Sequence, residues 1–302
     1  MNHLQIGGSA VTREEIYDAL YSHDEVYRPP LERGSALLEV TYGCSYGKCC
    51  FCDFCRDSFQ VVSLTEVERK SRLLSQIIGE NPSLHLLGCN PLCLSTAHLL
   101  QILGIIQRNL PSVNRVSMYA RAEDVIHKGE ADLRLLQAAG LRDLHIGLES
   151  GSDTVLQIQN KGETVAQMME AFEILHHCKI QYHLTLIPGL GGTEYSQEHS
   201  VMTAALLSQL YPSSIWCMAL KIWPGTQLNN MVMQGDFHPL TYQEILLEER
   251  EMIRKTQLHY PCLYVDSTVL GKYTIMGVLP EGKQKLLERI DFLLNQERVQ
   301  II

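Results

Sequence analysis

Asp143-Leu144-His145-Ile146-Gly147-Leu148 is followed by a helix-period run, Val165–Cys178, and then by Gln181-Tyr182-His183-Leu184-Thr185-Leu186-Ile187. Two short, nearly continuous apolar runs flanking one helical segment make a βαβ unit, and runs of this kind suit strands buried on both faces. The same alternation extends outward. Toward the N-terminus lie strands Ala36–Tyr42, Leu84–Leu87 and Arg115–Tyr119. Their helices run from the Ser63-x-x-Glu66 capping box to Gly79, over Thr96–Arg108 to Pro111, and over Ala131–Ala139 to Gly140. Toward the C-terminus a helix spans Tyr195–Leu210, and a sixth strand, Ser214–Ile222, is broken by Pro224-Gly225. Repeated βα units require a parallel sheet wrapped by helices. Six units fall short of a closed eight-stranded barrel. The expected fold is therefore α/β, a partial (six-unit) βα TIM-like barrel, with a doubly wound sheet as the alternative.

The flanks read differently. Residues 1–34 hold one short helix, opened by Thr12-Arg13-Glu14-Glu15, with Ile16, Leu20 and Tyr21 on one face, and ended before Pro29-Pro30. The core is expected over 35–230. Residues 231–302 read as a helical C-terminal extension with helices Leu240–Gln257 and Gly282–Arg298.

The chain has 302 residues, 25 Lys+Arg against 34 Asp+Glu, and a net charge of -9. It lacks an apolar run of the ~18 residues a membrane span needs, and Met1–Ala10 shows no secretory signal, so a cytoplasmic location without membrane contact is expected. An acidic chain without a Lys/Arg block is by default a poor nucleic-acid binder.

Ten cysteines are many for a reducing compartment, where clustered thiols point to metal or redox chemistry. Cys44, Cys49, Cys50, Cys52 and Cys55 all fall in one loop after the first strand. In α/β folds of this kind chemistry sits at the C-terminal ends of the strands. Structural zinc often uses two separated Cys-x2-Cys knuckles, and no second knuckle is present. A four-iron cube takes one thiolate per iron, so three clustered cysteines leave one iron for another ligand. On spacing alone the triads Cys44/Cys49/Cys52 and Cys49/Cys52/Cys55 are both open.

The loop Cys44-Ser45-Tyr46-Gly47-Lys48-Cys49-Cys50-Phe51-Cys52 at the end of the first strand resembles the cysteine loop of the radical S-adenosylmethionine (SAM) enzymes. The common spacing there is Cys-x3-Cys-x2-Cys, and this loop has one more residue in the first gap. Gly147-Leu148-Glu149-Ser150-Gly151-Ser152 with Asn160-Lys161-Gly162, the Leu186–Gly192 turn and Pro224-Gly225-Thr226-x-Leu228 resemble one branch of that superfamily. That branch contains the tRNA methylthiotransferases, the elongator catalytic subunit and the oxygen-independent coproporphyrinogen oxidases. The likeness covers about residues 27–230.

The resemblance implies a 4Fe–4S cluster on Cys44, Cys49 and Cys52, with Phe51 in the aromatic position of the loop. It implies SAM on the open iron, reductive cleavage to a 5′-deoxyadenosyl radical, and a one-electron donor such as flavodoxin or ferredoxin. Across the strand ends, Gly88 is expected to let backbone carbonyls approach the SAM ammonium, with Asn90 where the family carries an acid. Arg121 is read either as a partner of the methionine carboxylate or as a surface salt bridge. Glu149 is expected to accept from a ribose hydroxyl or the ammonium, and Ile187 to Gly189 to offer a shelf for adenine. Appendages found on the RNA-acting relatives are not visible, so the expected substrate is a small organic molecule. RNA or peptide substrates, and a non-catalytic zinc or iron–sulfur module, are the alternatives.

Overall fold

The computed structural model describes residues 4–6, 9–11, 13–21, 28–53, 58–267 and 274–299. Its main sheet has eight strands: β1 (Ala36–Glu39), β2 (Ser83–Leu87), β3 (Arg115–Ala120), β4 (Leu141–Glu149), β5 (Gln181–Leu186), β6 (Ser214–Cys217), β7 (Cys262–Asp266) and β8 (Ile275–Leu279). They lie side by side in the order of the sequence. The sheet is mostly parallel, and β8 closes it antiparallel to β7. This is an α/β fold of the partial TIM-barrel class.

Ten helices accompany the sheet among the described residues: α1 (Arg13–Leu20), α2 (Leu64–Leu74), α3 (Thr96–Asn109), α4 (Ala122–Ala138), α5 (Asp153–Ile158), α6 (Val165–Cys178), α7 (Gly192–Leu207), α8 (Gln227–Gln234), α9 (Tyr242–Lys255) and α10 (Lys283–Val299). Ile16 and Leu20 of α1 are buried as its pattern demands; Thr12 lies outside the described residues. Ser63 caps α2 by accepting from the Glu66 amide. The helix expected at Ala131–Ala139 is the second half of α4, which turns at Gly129 (φ 62°).

The expected helical extension over 231–302 needs one correction. It carries α9 and α10, but also β7 and β8. Cys262-Leu263-Tyr264-Val265 is a short apolar run with no clear helix after it, so the βα rhythm that exposes β1–β6 is missing there. β7 pairs parallel to β6, with Ser214 opposite Leu263 and Cys217 opposite Asp266. The sixth strand is also shorter than expected, ending at Cys217.

The chain forms two compact units. One holds residues 1–47, 54–145 and 174–180; the other holds 48–53, 146–173 and 181–302. In the first, Glu32 is fully buried just before β1. The Arg115 guanidinium spans it with contacts of 2.9 and 3.0 Å, His145 Nε2 lies 2.9 Å away, and Ser35 donates to it. Arg115 Nε also reaches Asp143 at 2.8 Å. His85 stands beside this group with Nδ1 2.9 Å from Ser117 Oγ. Glu32, His85 and His145 lie close together and have the composition of a metal triad. Four contacts from Arg115, His145 and Ser35 already fill the acceptor positions of Glu32, so the group is an ion-pair network. It lies in the N-terminal half of the strands, where barrels of this class place stability rather than chemistry.

Candidate functional site

In the first unit the backbone turns sharply after β2. Gly88 has φ 137°, and a Cβ there would lie 1.9 Å from Thr41 Oγ1. Only glycine fits that approach. Asn90, two residues on, is fully buried. Its Nδ2 donates to Ser45 Oγ at 2.8 Å and to Asp124 Oδ2 at 2.6 Å, while its Oδ1 has no hydrogen-bond partner. Burial raises the Asp124 pKa, and the bond from Asn90 opposes that shift. Ser45 follows Cys44, so Asn90 ties the turn after β2 to the start of the cysteine loop.

Arg121, at the end of β3, is 6% exposed. Its Nε pairs with Glu123 Oε1 at 2.7 Å, and its guanidinium lies 4.1 Å from the Tyr46 ring centre. The ion pair is thus real but not a surface one. Cys93 stays a neutral thiol: burial and the Asp124 charge push it up to about 11.

In the second unit, the rest of the loop is held by its backbone. The Cys50 amide donates to Gln159 O and the Leu228 amide to Cys50 O, both at 2.9 Å. Cys50 is 2% exposed and packs with Leu228 and Phe237, and burial raises its thiol pKa. Phe51 packs against that cluster and against Val155, Ile187 and Leu190. Phe51 and Ile187 thus share one apolar cluster.

Glu149 ends β4 in a left-handed conformation, φ 60°. Its carboxylate lies 3.2 Å from Lys161 Nζ, and Lys161 also reaches Glu163 Oε2 at 3.7 Å. Both glutamates and the lysine are buried. The Glu149 carbonyl accepts from the Ile187 amide at 3.2 Å, which joins two predicted binding segments. Lys161 stands in the Asn160-Lys161-Gly162 motif, but the motif alone gives it no role. Asp124, behind Asn90, has no sequence signal beyond its place at the start of a helix after a strand.

The thiols divide by exposure. Cys44 and Cys49 are half-buried and Cys52 is exposed; Cys50, Cys178, Cys217 and Cys262 are buried, and none of these seven is in a disulfide. Cys55 lies outside the described residues.

A family model described as the Radical SAM superfamily matches residues 38–203, more than half of the chain. The chain belongs to the radical SAM superfamily. This radical SAM chain is 22% identical over 270 residues to the tRNA-2-methylthio-N(6)-dimethylallyladenosine synthase of Neorickettsia sennetsu (strain ATCC VR-367 / Miyayama), covering 82% of this chain and 54% of that protein. Among solved structures it is similar to methylornithine synthase (PylB), with TM-score 0.54, 14% identity, and 83% and 76% of the two chains covered. It is also similar to the radical SAM methyltransferase TsrM from Kitasatospora setae, with TM-score 0.54, 19% identity, and 66% and 39% covered. The chain thus spans about half the length of the curated relative and less of TsrM.

The superfamily is one of enzymes that use a 4Fe–4S cluster and SAM together with an electron donor and a substrate. The residues fit such cofactors: accessible thiols in the loop, a glycine turn with no room for a Cβ, and an orphaned buried acceptor on Asn90. Among the described residues no helix is long and apolar enough to cross a membrane.

Proposed function

We propose that this enzyme binds its cluster through Cys44, Cys49 and Cys52 and uses SAM to abstract hydrogen from a small organic substrate. The observation that carries the ligand set is the exposure of its thiols, set against the buried thiol of their neighbour Cys50. A cluster ligand must reach a metal in a space a cofactor can enter; a buried thiol is a small core hydrophobe. When bound, cluster and SAM together supply reductive sulfonium cleavage and a 5′-deoxyadenosyl radical.

The chain's own residues bind and orient. Asn90 Oδ1 accepts from the SAM ammonium, in place of the acid the family usually carries. Arg121, steadied by Glu123 and Tyr46, faces the methionine carboxylate. Glu149, held by Lys161, accepts from a ribose hydroxyl. Ile187 and Phe51 form one apolar wall, and Gly189 offers its carbonyl to adenine. An apolar wall excludes water from a reactive intermediate.

The net charge of -9 supports a small substrate, because RNA binding rests on neutralising phosphates with Lys and Arg. Reduced thiols in such number suit a cytoplasmic setting with a flavodoxin- or ferredoxin-type donor. The test is anaerobic reconstitution with iron, sulfide, dithionite and SAM, assayed for 5′-deoxyadenosine. Its formation, lost on Cys44→Ala, supports the reading; zinc in place of iron–sulfide overturns it. Salt-sensitive retention of RNA by the reconstituted enzyme would replace the small substrate with RNA.

A further inference from the structure

A line of buried polar groups in the second unit is unused by that mechanism. It joins Ser150, directly after Glu149, to His199 of α7 and Glu248 of α9. Ser150 Oγ lies 2.8 Å from His199 Nδ1, and His199 Nε2 lies 3.7 Å from Glu248 Oε1. The same Glu248 oxygen accepts from the Gly189 amide at 2.6 Å. Ser150 and His199 are fully buried and Glu248 is 4% exposed.

Ser150 Oγ accepts from the Ser152 amide at 3.0 Å and shares one hydrogen with His199 Nδ1. His199 is neutral, its Nε2 lies beside Glu248 beyond hydrogen-bond distance, and its ring also meets the backbone of Ile187. Burial agrees, holding the His199 pKa down at about 4. A serine, histidine and acid in a row suggest a nucleophile. This serine cannot be one, because substrate has no access to it.

Both ends of the line touch backbone that the proposed site uses. One end is the Glu149–Ser152 segment, where α7 presses so close that a Cβ on Gly151 would lie 2.5 Å from Thr203 Cα. The other is the turn Ile187–Gly189. Glu248 comes from residues beyond the matched family region, 38–203.

We propose that Glu248 is a positioning residue for SAM: through the Gly189 amide it fixes the Ile187–Gly189 turn of the cofactor cradle, beside the His199–Ser150 contact that holds the Glu149–Ser152 segment. This rests on the reading of Glu149 and Ile187–Gly189 as that cradle. A buried carboxylate bonded to a backbone amide is a strong, geometrically demanding contact, so it sets the turn rather than following it. The C-terminal part of the chain is by this account a working part of the cofactor site.

Glu248→Leu keeps approximate volume and removes the acceptor; Glu248→Gln keeps an acceptor. SAM affinity of the anaerobically reconstituted enzyme, measured by equilibrium dialysis beside iron content, should fall about tenfold or more in Glu248→Leu and recover to within about threefold in Glu248→Gln. Iron content should be normal in both. A second readout is pH. The groups facing Glu248 among the described residues are His199 and Ser196 on α7, the Gly189 amide, and Glu249 on its own helix, itself against Asp266 of β7. Burial raises Glu248 to about 7, so wild-type SAM affinity should weaken as pH falls below that value, and Glu248→Gln should lose this dependence. Wild-type affinity in an iron-loaded Glu248→Leu, with Glu149→Gln weakened, overturns the inference alone. Wild-type affinity in both variants overturns the cradle reading and the inference with it. Should Glu248→Leu fail to fold, an unchanged pH profile in Glu248→Gln overturns the proposal.

Discussion

Glu149 reaches Lys161 from a left-handed backbone, and Gly147 makes room for the contact: a Cβ on Gly147 would lie 2.0 Å from Glu149 Oε1 and 2.9 Å from Lys161 Nζ. A non-glycine residue at φ 60° costs about 1–2 kcal/mol and persists only where surrounding contacts hold it. Here an ion pair at a strand's C-terminal end does so.

Glu149→Gln should weaken SAM binding by ~1–3 kcal/mol, the scale of a lost charge-assisted hydrogen bond, with iron content unchanged. Lys161→Met should act on stability instead. It leaves Glu149 and Glu163 buried without their cation, at a cost of roughly 3–5 kcal/mol. Chemical unfolding of the two variants separates the roles; equal stability loss in both would make Glu149 purely structural.

Cys44→Ala, Cys49→Ala and Cys52→Ala should each lose the brown chromophore and most iron. Cys50→Ala should keep iron and lose about 1 kcal/mol of stability from the small cavity it leaves. Cys55→Ala should keep iron. Iron retained by Cys44→Ala and lost by Cys55→Ala would select the other triad.

The cysteine loop is legible in the sequence because thiolates two to four residues apart converge on a metal wherever the loop is placed. The strands β2 to β5 are legible because burial on both faces leaves continuous apolar runs. Glu248 is not. It lies 59 residues from Gly189, in the acidic run Glu248-Glu249-Arg250-Glu251, which reads as a solvated helix face. Glu248 and Glu249 are nonetheless buried, and no local pattern marks a charge that a distant backbone amide satisfies. The turn of α4 at Gly129 is hidden likewise, since one glycine inside a helical pattern is usually tolerated.

Gly88→Ala should destabilise the protein by about 2 kcal/mol or more, combining overpacking with the backbone cost of φ 137°. Adding Thr41→Ala removes the clashing hydroxyl and should restore part of that loss, leaving the conformational share. A thermal melt series on the two single variants and the double variant measures the coupling.

Two buried histidines and one buried glutamate set opposing pH terms. Burial lowers His85 to about 3 and His199 to about 4, so both are neutral when folded and charge on unfolding below about pH 6.5. Their contribution is lost as pH falls. Burial raises Glu248 to about 7, so between about pH 4.5 and 7 the folded state binds its proton and the unfolded state does not; its contribution grows as pH falls. Glu248→Gln should therefore lose stability relative to wild type on acidification across that window, by about 1 kcal/mol per pH unit. Urea titrations at pH 5 and 7 check the sign. Glu32 acts lower still. Burial favours its neutral form, but the bonds from His145, Arg115 and Ser35 outweigh that, so its stabilisation is lost progressively as pH falls below about 4.5.

Removal of residues 226–302 should yield aggregates on size exclusion, because it strips β7 from β6 and exposes a sheet edge. A monomeric truncated chain with wild-type SAM affinity would show that neither the edge nor Glu248 matters.

The sequential strand order has a consequence for how the molecule is made. Each strand from β1 to β8 adds beside the one synthesised just before it, so no strand waits for a distant partner to be translated. Low sequence separation between pairing partners favours fast folding, and domains that assemble from the N-terminus outward can do so during synthesis. At every stage the newest strand is an open edge, and β8, running against its neighbour, is the strand that ends the series.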